Sequence, residues 1–149
     1  DKLSPLNNVD LIFKYIDEGT RRELQNRAGM HLCPSKVEGY GHYVNEARSA
    51  KAVVITGDVA PTNEFFHDGY NGILVGKKKN GWGCLKCEQL ELTEAMLEEG
   101  VERALKMTVI EKQAMANRAR RAYQEDTAYF EKRMRLLHAA VCGHRGDDP

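Results

Sequence analysis

Ala52-Val-Val-Ile-Thr56, ending at Gly57, is a short run rich in branched side chains, apolar from Ala52 to Ile55. A run this short and this apolar reads as a strand buried on both faces, the kind found inside a parallel sheet. Working outward, residues 43–50 read as a helix and Glu38-Gly-Tyr-Gly-His42 as a glycine-containing loop. Met30-His-Leu-Cys33, closed by Pro34, reads as a second short strand. Further upstream, Thr20-Arg-Arg-Glu23 has capping-box spacing and predicts a helix to about Ala28, with Gly29 as its stop. Val9-Asp-Leu-Ile-Phe-Lys-Tyr-Ile16 is apolar, branched and aromatic, and predicts another buried strand. Strand, helix, strand, helix, strand in close succession signals an α/β chain: a parallel sheet with helices on its faces.

Downstream the rhythm loosens. The segment after Gly57 is punctuated by Pro61, Gly69 and Gly72 and reads as a loop, with one helical turn at Glu64-Phe-Phe-His67. Ile73-Leu-Val75 predicts a last short strand, and residues 76–88, with Lys77-Lys-Lys79, a surface loop. From Leu90 onward the chain reads as helical, with Leu97, Val101, Ala104 and Leu105 on one apolar face. Thr108-Val-Ile-Glu111 is a second capping box. A stretch from about Asp126 to Val141 carries Tyr129, Phe130, Met134, Leu137 and Val141 near helical spacing, most simply read as core. Residues 143–149 read as a polar tail.

At 149 residues the chain fits one domain, divided as residues 1–107 and a helical C-terminal portion, 108–149. Surface scaling puts a compact fold of this mass near ~7,700 Å², with about 69% of the unfolded surface buried. Lys+Arg and Asp+Glu are equal at 22 each, so no net basic footprint points to nucleic acid or an anionic membrane. No apolar run approaches the ~18 residues of a spanning helix, so no transmembrane segment is expected. The first residue is Asp1 rather than methionine, and we read the sequence as a piece of a longer protein. Four cysteines, at 33, 84, 87 and 142, do not make a disulfide scaffold in an α/β chain, which favours reduced thiols and a cytoplasmic setting.

The chemistry concentrates between Pro34 and Ala50. Glu38 and Glu46 bracket Gly39-Tyr-Gly41, and Glu46 falls about one turn into the predicted helix. The free N–H groups and positive dipole end of that helix offer a seat for phosphate, and the glycines allow close backbone approach. A carboxylate one turn further could accept hydrogen bonds from both hydroxyls of a ribose. The other carboxylate would face whatever hangs from the far phosphate. From spacing alone a merely structural loop stays open beside this reading. A dinucleotide site fits less well, because Gly39-x-Gly41-x-x-Val44 lacks the third glycine used for helix packing.

The stretch resembles the donor-binding motif of retaining glycosyltransferases of the GT-B fold, the family-4 or group 1 class. The shared pattern is a glutamate followed by Gly-aromatic-Gly and, after seven intervening residues, a second glutamate: here Glu38-Gly39-Tyr40-Gly41 through Glu46-Ala47. Pro34-Ser35 before it, the strand at 52–56 after it, Pro61-Thr-Asn-Glu64 and Asp68-Gly-Tyr-Asn-Gly-Ile-Leu-Val75 extend the likeness over about residues 9–107. The resemblance implies a Rossmann-like, donor-binding C-terminal half, and transfer of a sugar with retention of anomeric configuration. It implies that Glu46 binds the ribose of a nucleotide-diphosphate sugar. It gives Glu38 the catalytic position, at the donor sugar near its anomeric carbon. Backbone around Gly39, Tyr40, Gly41 and His42 would hold diphosphate and sugar hydroxyls. It also implies no metal or cofactor, a carbohydrate, lipid or protein acceptor, and a partner N-terminal Rossmann half without which this half is inactive. His42-Tyr43 and Lys51 depart from the class, which commonly has a small apolar residue with proline, and glycine, at those places.

Rival readings are a non-catalytic nucleotide-sugar-binding half-domain and a glycoside hydrolase using Glu38 and Glu46 as paired carboxylates. The hydrolase has no diphosphate to seat on a helix start. Lys77-Lys-Lys79 reads as a solvated loop, and His31 and His67 as packed or solvent-facing. Cys84-Leu-Lys-Cys87 has metal-ligand spacing but needs two more ligands, which Cys142 and His144 could supply only by a long return of the chain. An ordinary loop is the expectation, so the Cys84→Ser, Cys87→Ser double variant should melt within about 1 kcal/mol of the parent. Stoichiometric zinc after purification, with unfolding by a chelator, would establish the metal site instead.

Overall fold

The structure is a computed structural model and describes residues 8–35, 37–80 and 88–142. The run that opened the sequence reading becomes β2 (Val53–Gly57), buried along its whole length at the centre of a parallel sheet. β1 (Met30–Cys33) pairs on one side in the register Met30 to Val53, and β3 (Ile73–Val75) on the other with Ile55 opposite Ile73. Strand alternation sends Val53 and Ile55 to one face and Val54 to the other. The first face packs with Ile73, Val75, Ala104 and Met115, flanked by Leu97 and Val101. The second packs with Cys33, Val44, Ala47 and Phe66. Burial of each such branched side chain contributes roughly 1.5–3 kcal/mol, so a strand apolar on both faces has its place fixed from both sides.

The helices follow from this layering. α2 (His42–Ser49) crosses from β1 to β2 over the second face, burying Val44, Ala47 and Arg48. α3 (Glu94–Lys106) covers the first face, and Gly100 lets it approach closely: a Cβ there would lie 2.3 Å from Val75 Cγ1. α4 (Val109–Cys142) starts at the expected capping box. Glu111 accepts from Thr108 N (2.7 Å) and Oγ1 (2.8 Å), while Glu111 N donates back to Thr108 Oγ1 (3.2 Å).

Several expectations need correction. Residues 9–16 form no strand: they pair with none of the strands among the described residues, and Phe13 and Tyr15 are 83% and 93% exposed, so their backbone groups are left to water rather than to a ladder. α1 (Glu18–Arg27) begins before Thr20 and is capped by Asp17, which accepts from Thr20 N (3.0 Å) and Oγ1 (2.6 Å). The short helical turn lies at Thr62–Glu64 rather than 64–67. Lys77–Asn80 is not loop but β4, antiparallel to β5 (Glu88–Glu91), and Leu90, expected to be helical, is the buried residue of β5. Leu105 is 59% exposed and so leaves the apolar face of α3. The last stretch is no separate helix. α4 runs unbroken for 34 residues, about 50 Å at 1.5 Å per residue. Its expected core residues Tyr129, Phe130, Met134, Leu137 and Val141 are all exposed; its buried residues are Met115, Ala116 and Ala119. The accessible surface, 11347 Å², accordingly exceeds the compact expectation.

Cys84, Cys87 and residues 143–149 lie outside the described residues. Cys33 is buried, and burial pushes its thiol up to about 11, which keeps it protonated and unreactive. No helix among the described residues is long and apolar enough to cross a membrane.

α4 is tied to α2 by a buried cation. Arg48 is fully buried, with Nη1 donating to Asn45 Oδ1 (2.8 Å) and Nη2 to Asp126 Oδ2 (2.5 Å). Its guanidinium carbon lies 5.0 Å from the Phe65 ring centre and 5.9 Å from those of Phe66 and Tyr123. Arg48→Met keeps the stem against these rings and should cost less than about 1.5 kcal/mol. Arg48→Ala opens a cavity and should cost about 2–4 kcal/mol. Asp126→Ala, which strands the cation, should cost about 1–2 kcal/mol, the low end for a charged hydrogen bond because Asp126 is 60% exposed. Urea denaturation measures all three; an Arg48→Met loss as large as that of Arg48→Ala would show that charge, not packing, holds the joint.

Candidate functional site

The loop between β1 and α2 is fixed at both ends. Tyr43 Oη donates to the Cys33 carbonyl (3.2 Å), as does the buried Thr56 Oγ1 (3.0 Å), so the strand end and the helix start are drawn together. Ser35 Oγ donates to the Val37 carbonyl (2.9 Å) within the turn. Burial raises the Tyr43 phenol, and Glu38 nearby adds to that, against a hydrogen bond from Ser35 that lowers it. Glu38 is half-buried, while Gly39 and Tyr40 are exposed. The Tyr40 ring stands edge-on to Phe65 (5.7 Å between centres) and 5.1 Å from that of His42.

Gly41 ends the loop in the left-handed region (φ 83°, ψ 52°) and occupies the N-cap of α2 without a side chain to cap it. Its carbonyl accepts from Val44 N (3.1 Å), Asn45 N (3.2 Å) and Asn45 Nδ2 (3.2 Å). Among the described residues no acceptor reaches the N–H groups of His42 and Tyr43. They are left at the positive end of the helix, the condition under which an anion is held.

Glu46 lies one turn on. Its Oε2 accepts from Gln25 Nε2 (2.7 Å) and pairs with Arg21 Nη1 (2.5 Å), both from α1. Burial raises its pKa, but the hydrogen bonds from Gln25 and Arg21 and the charge of Arg21, with His42 adding, leave it below the ordinary value. The carboxylate borders two adjoining hollows. One, of about 240 Å³, is lined by Tyr40, His42, Ser49, Tyr123 and Phe130; the other, of about 410 Å³, by Arg21, Arg22, Gln25 and Arg120. The structure thus gathers Tyr40, His42 and Glu46 at one hollow, with Gly41 at the head of their helix, whereas Glu38 and Gly39 do not line it.

The family model described as Glycosyl transferases group 1 matches residues 1–81. The chain belongs to this family. No curated protein matches it. Among solved structures, it is similar to the 1.35 Å crystal structure of the C-terminal domain of a glycosyl transferase group 1 family protein (LpcC) from Francisella tularensis, with a TM-score of 0.59 at 16% identity. That match covers 83% of this chain and 56% of that one, so the chain spans little more than half the length of the solved relative. The likeness is one of fold: a parallel α/β sheet flanked by helices and closed by a C-terminal helix.

In this group 1 chain the Asp68-to-Val75 run is built into a turn. The buried Asn71 accepts from His67 N (2.7 Å) and donates to the Phe65 carbonyl (3.1 Å), and Asp68 takes Leu74 N and both contacts of Arg103 Nη2 at 2.8 Å. His31 Nε2 meets the Gln25 carbonyl (2.9 Å), and His67 is exposed. Arg21 and Gln25 were not singled out from sequence: their spacing of four puts them on one face of α1 but does not tie that face to Glu46. Nor was Arg48, which falls one turn after the buried Val44. Among the described residues no three His, Cys, Asp or Glu side chains gather to hold a metal.

The two glycines of the turn are not equivalent. Gly41→Ala forces a side chain into the left-handed region and should cost about 1–2 kcal/mol in thermal unfolding. At Gly39 a Cβ would meet nothing within 4 Å, so Gly39→Ala should stay within about 0.5 kcal/mol. Equal losses at both positions would contradict this assignment of the turn.

Proposed function

We propose that this chain is the donor-binding part of a retaining, family-4 glycosyltransferase, taking a sugar from a nucleotide-diphosphate donor. The observation that carries it is the Gly41 turn: it leaves the His42 and Tyr43 N–H groups open at the start of a helix whose next turn presents the Glu46 carboxylate. Spacing of phosphate seat and carboxylate suits a diphosphate followed by a ribose. Glu46 accepts hydrogen bonds from the ribose hydroxyls. The backbone from Gly39 through Tyr40, Gly41 and His42 holds diphosphate and sugar hydroxyls. Glu38, in the loop ahead of the seat, orients the donor sugar and stabilises positive charge at its anomeric carbon.

In the reaction the bond from the anomeric carbon to the diphosphate breaks, a bond to the acceptor hydroxyl oxygen forms on the same face, and the hydroxyl's proton passes to the departing diphosphate. Negative charge grows on the departing diphosphate, where the helix N–H groups and dipole act most strongly. This chain needs no metal or other cofactor for that role in our reading. The acceptor, a carbohydrate, lipid or protein, is bound by an N-terminal Rossmann half, and turnover requires both halves because proximity supplies much of such a rate. We place the reaction in the cytoplasm, with no nucleic-acid partner.

Two variants separate the roles. Glu46→Ala should weaken nucleoside diphosphate and donor alike by about 10- to 150-fold, the value of charged hydrogen bonds of roughly 1.5–3 kcal/mol. Glu38→Ala should leave free nucleotide binding nearly intact while lowering kcat by on the order of 10²-fold. Calorimetry on this chain reads the first, and steady-state transfer by the full-length protein reads the second. Reversed effects would exchange the two roles. Binding without transfer by the full-length protein would make it a binding module instead.

A further inference from the structure

α1 is an odd helix in this fold, because it buries none of its residues. Its contribution is polar. Arg21 and Gln25, one turn apart, both reach across to α2 and end on the same oxygen, Glu46 Oε2, at 2.5 and 2.7 Å. α1 is in turn tied to β1 through the Gln25 carbonyl and His31 Nε2 (2.9 Å). A carboxylate offers about four lone-pair sites. Two are taken on Oε2, and among the described residues no donor reaches Oε1.

We propose that Arg21 and Gln25 are positioning residues for ribose recognition: they pin Glu46 by Oε2 so that Oε1 is presented to the cis-diol of a bound nucleotide. This rests on the donor-binding reading above. A free glutamate on a helix surface samples several rotamers, and ordering it on binding costs affinity. Held from α1, it is already ordered. The clamp also acts on charge. Only the ionised carboxylate accepts from both ribose hydroxyls, and burial works against ionisation here while Gln25, Arg21 and His42 restore it. The other charged groups facing these hollows are Glu18 and Arg22 on α1 and Arg120 and Asp126 on α4.

A carboxyl held below its ordinary value stays ionised as the pH falls toward the usual carboxylate range, so the part of nucleotide affinity that Glu46 supplies stays level down to that range. Comparing parent with variants at each pH cancels the titration of the nucleotide's own terminal phosphate at about pH 6. Removing Arg21 leaves burial less opposed, so the acid limb moves to higher pH.

The test is calorimetric titration of the chain with UDP, GDP and ADP from about pH 4 to 8, for the parent, Arg21→Gln, Gln25→Leu, the double variant and Arg21→Lys. The nucleotide that binds the parent should lose about tenfold in affinity with Arg21→Gln, with its acid limb shifted upward. Arg21→Lys should restore both in part. Since α1 buries no residue, these changes leave the core intact, and the melting curve of each variant checks this. A carboxyl-carbon NMR titration of Glu46 in the free protein reads the clamp without any nucleotide. A double variant that binds as the parent does, with the same pH profile, would overturn the clamp and leave the donor site standing. If none of the three nucleotides binds the parent, the donor-binding reading falls and this inference with it.

Discussion

A side chain with no exposure to water, that of Arg48, holds helix α2 in place. Arg48 sits two residues beyond Glu46, on the face of α2 that turns inward, and meets the Phe65, Phe66 and Tyr123 rings. Taking such a charge out of water costs several kcal/mol, offset only where its donors are met. Asn45 and Asp126 meet two of them, and Nε stays buried without a partner. The arrangement holds only while α2, the segment after the Thr62–Glu64 turn and α4 keep their mutual places. The angle at which α2 leaves Gly41, and hence where Glu46 points, depends on that joint.

The parallel sheet was legible because it is written in apolar runs. Met30 to Cys33, Val53 to Gly57 and Ile73 to Val75 pair where such runs predict, and the two-faced burial of β2 follows from Val53, Val54 and Ile55 in succession, with the Thr56 hydroxyl satisfied by the Cys33 carbonyl. β4 was not legible, because Lys77, Lys78 and Lys79 carry no apolar signal. It forms through a ladder whose register sets Lys77 opposite Glu91 and through Leu90 on its partner strand. Residues 9–16 show the converse: an apolar, branched pattern that no neighbouring strand pairs makes no strand. The same pattern on α4 marked an amphipathic face and said nothing about whether a surface covers it.

At the site, the glutamates and glycines were visible in sequence as a spacing. That Gly41 alone needs a positive φ, and that Gly39 does not, was not, since both read as the same residue type in the same loop. Arg21 and Gln25 were hidden for another reason. They belong to a helix 21 and more residues away, and a long-range pair leaves no local pattern.

α4 is held only along its first half. Met115, Ala116, Ala119 and the Arg48–Asp126 bridge fix it to the sheet and to α2, while Tyr129, Phe130, Leu136, Leu137 and Val141 look onto water. A helical segment without tertiary contacts has little beyond its own hydrogen bonds to resist opening. The free energy of local opening therefore falls along the rod. Backbone amides before the bridge share the protection of the core, and those after it exchange with solvent on the timescale of a fraying peptide, so one continuous helix carries two stabilities.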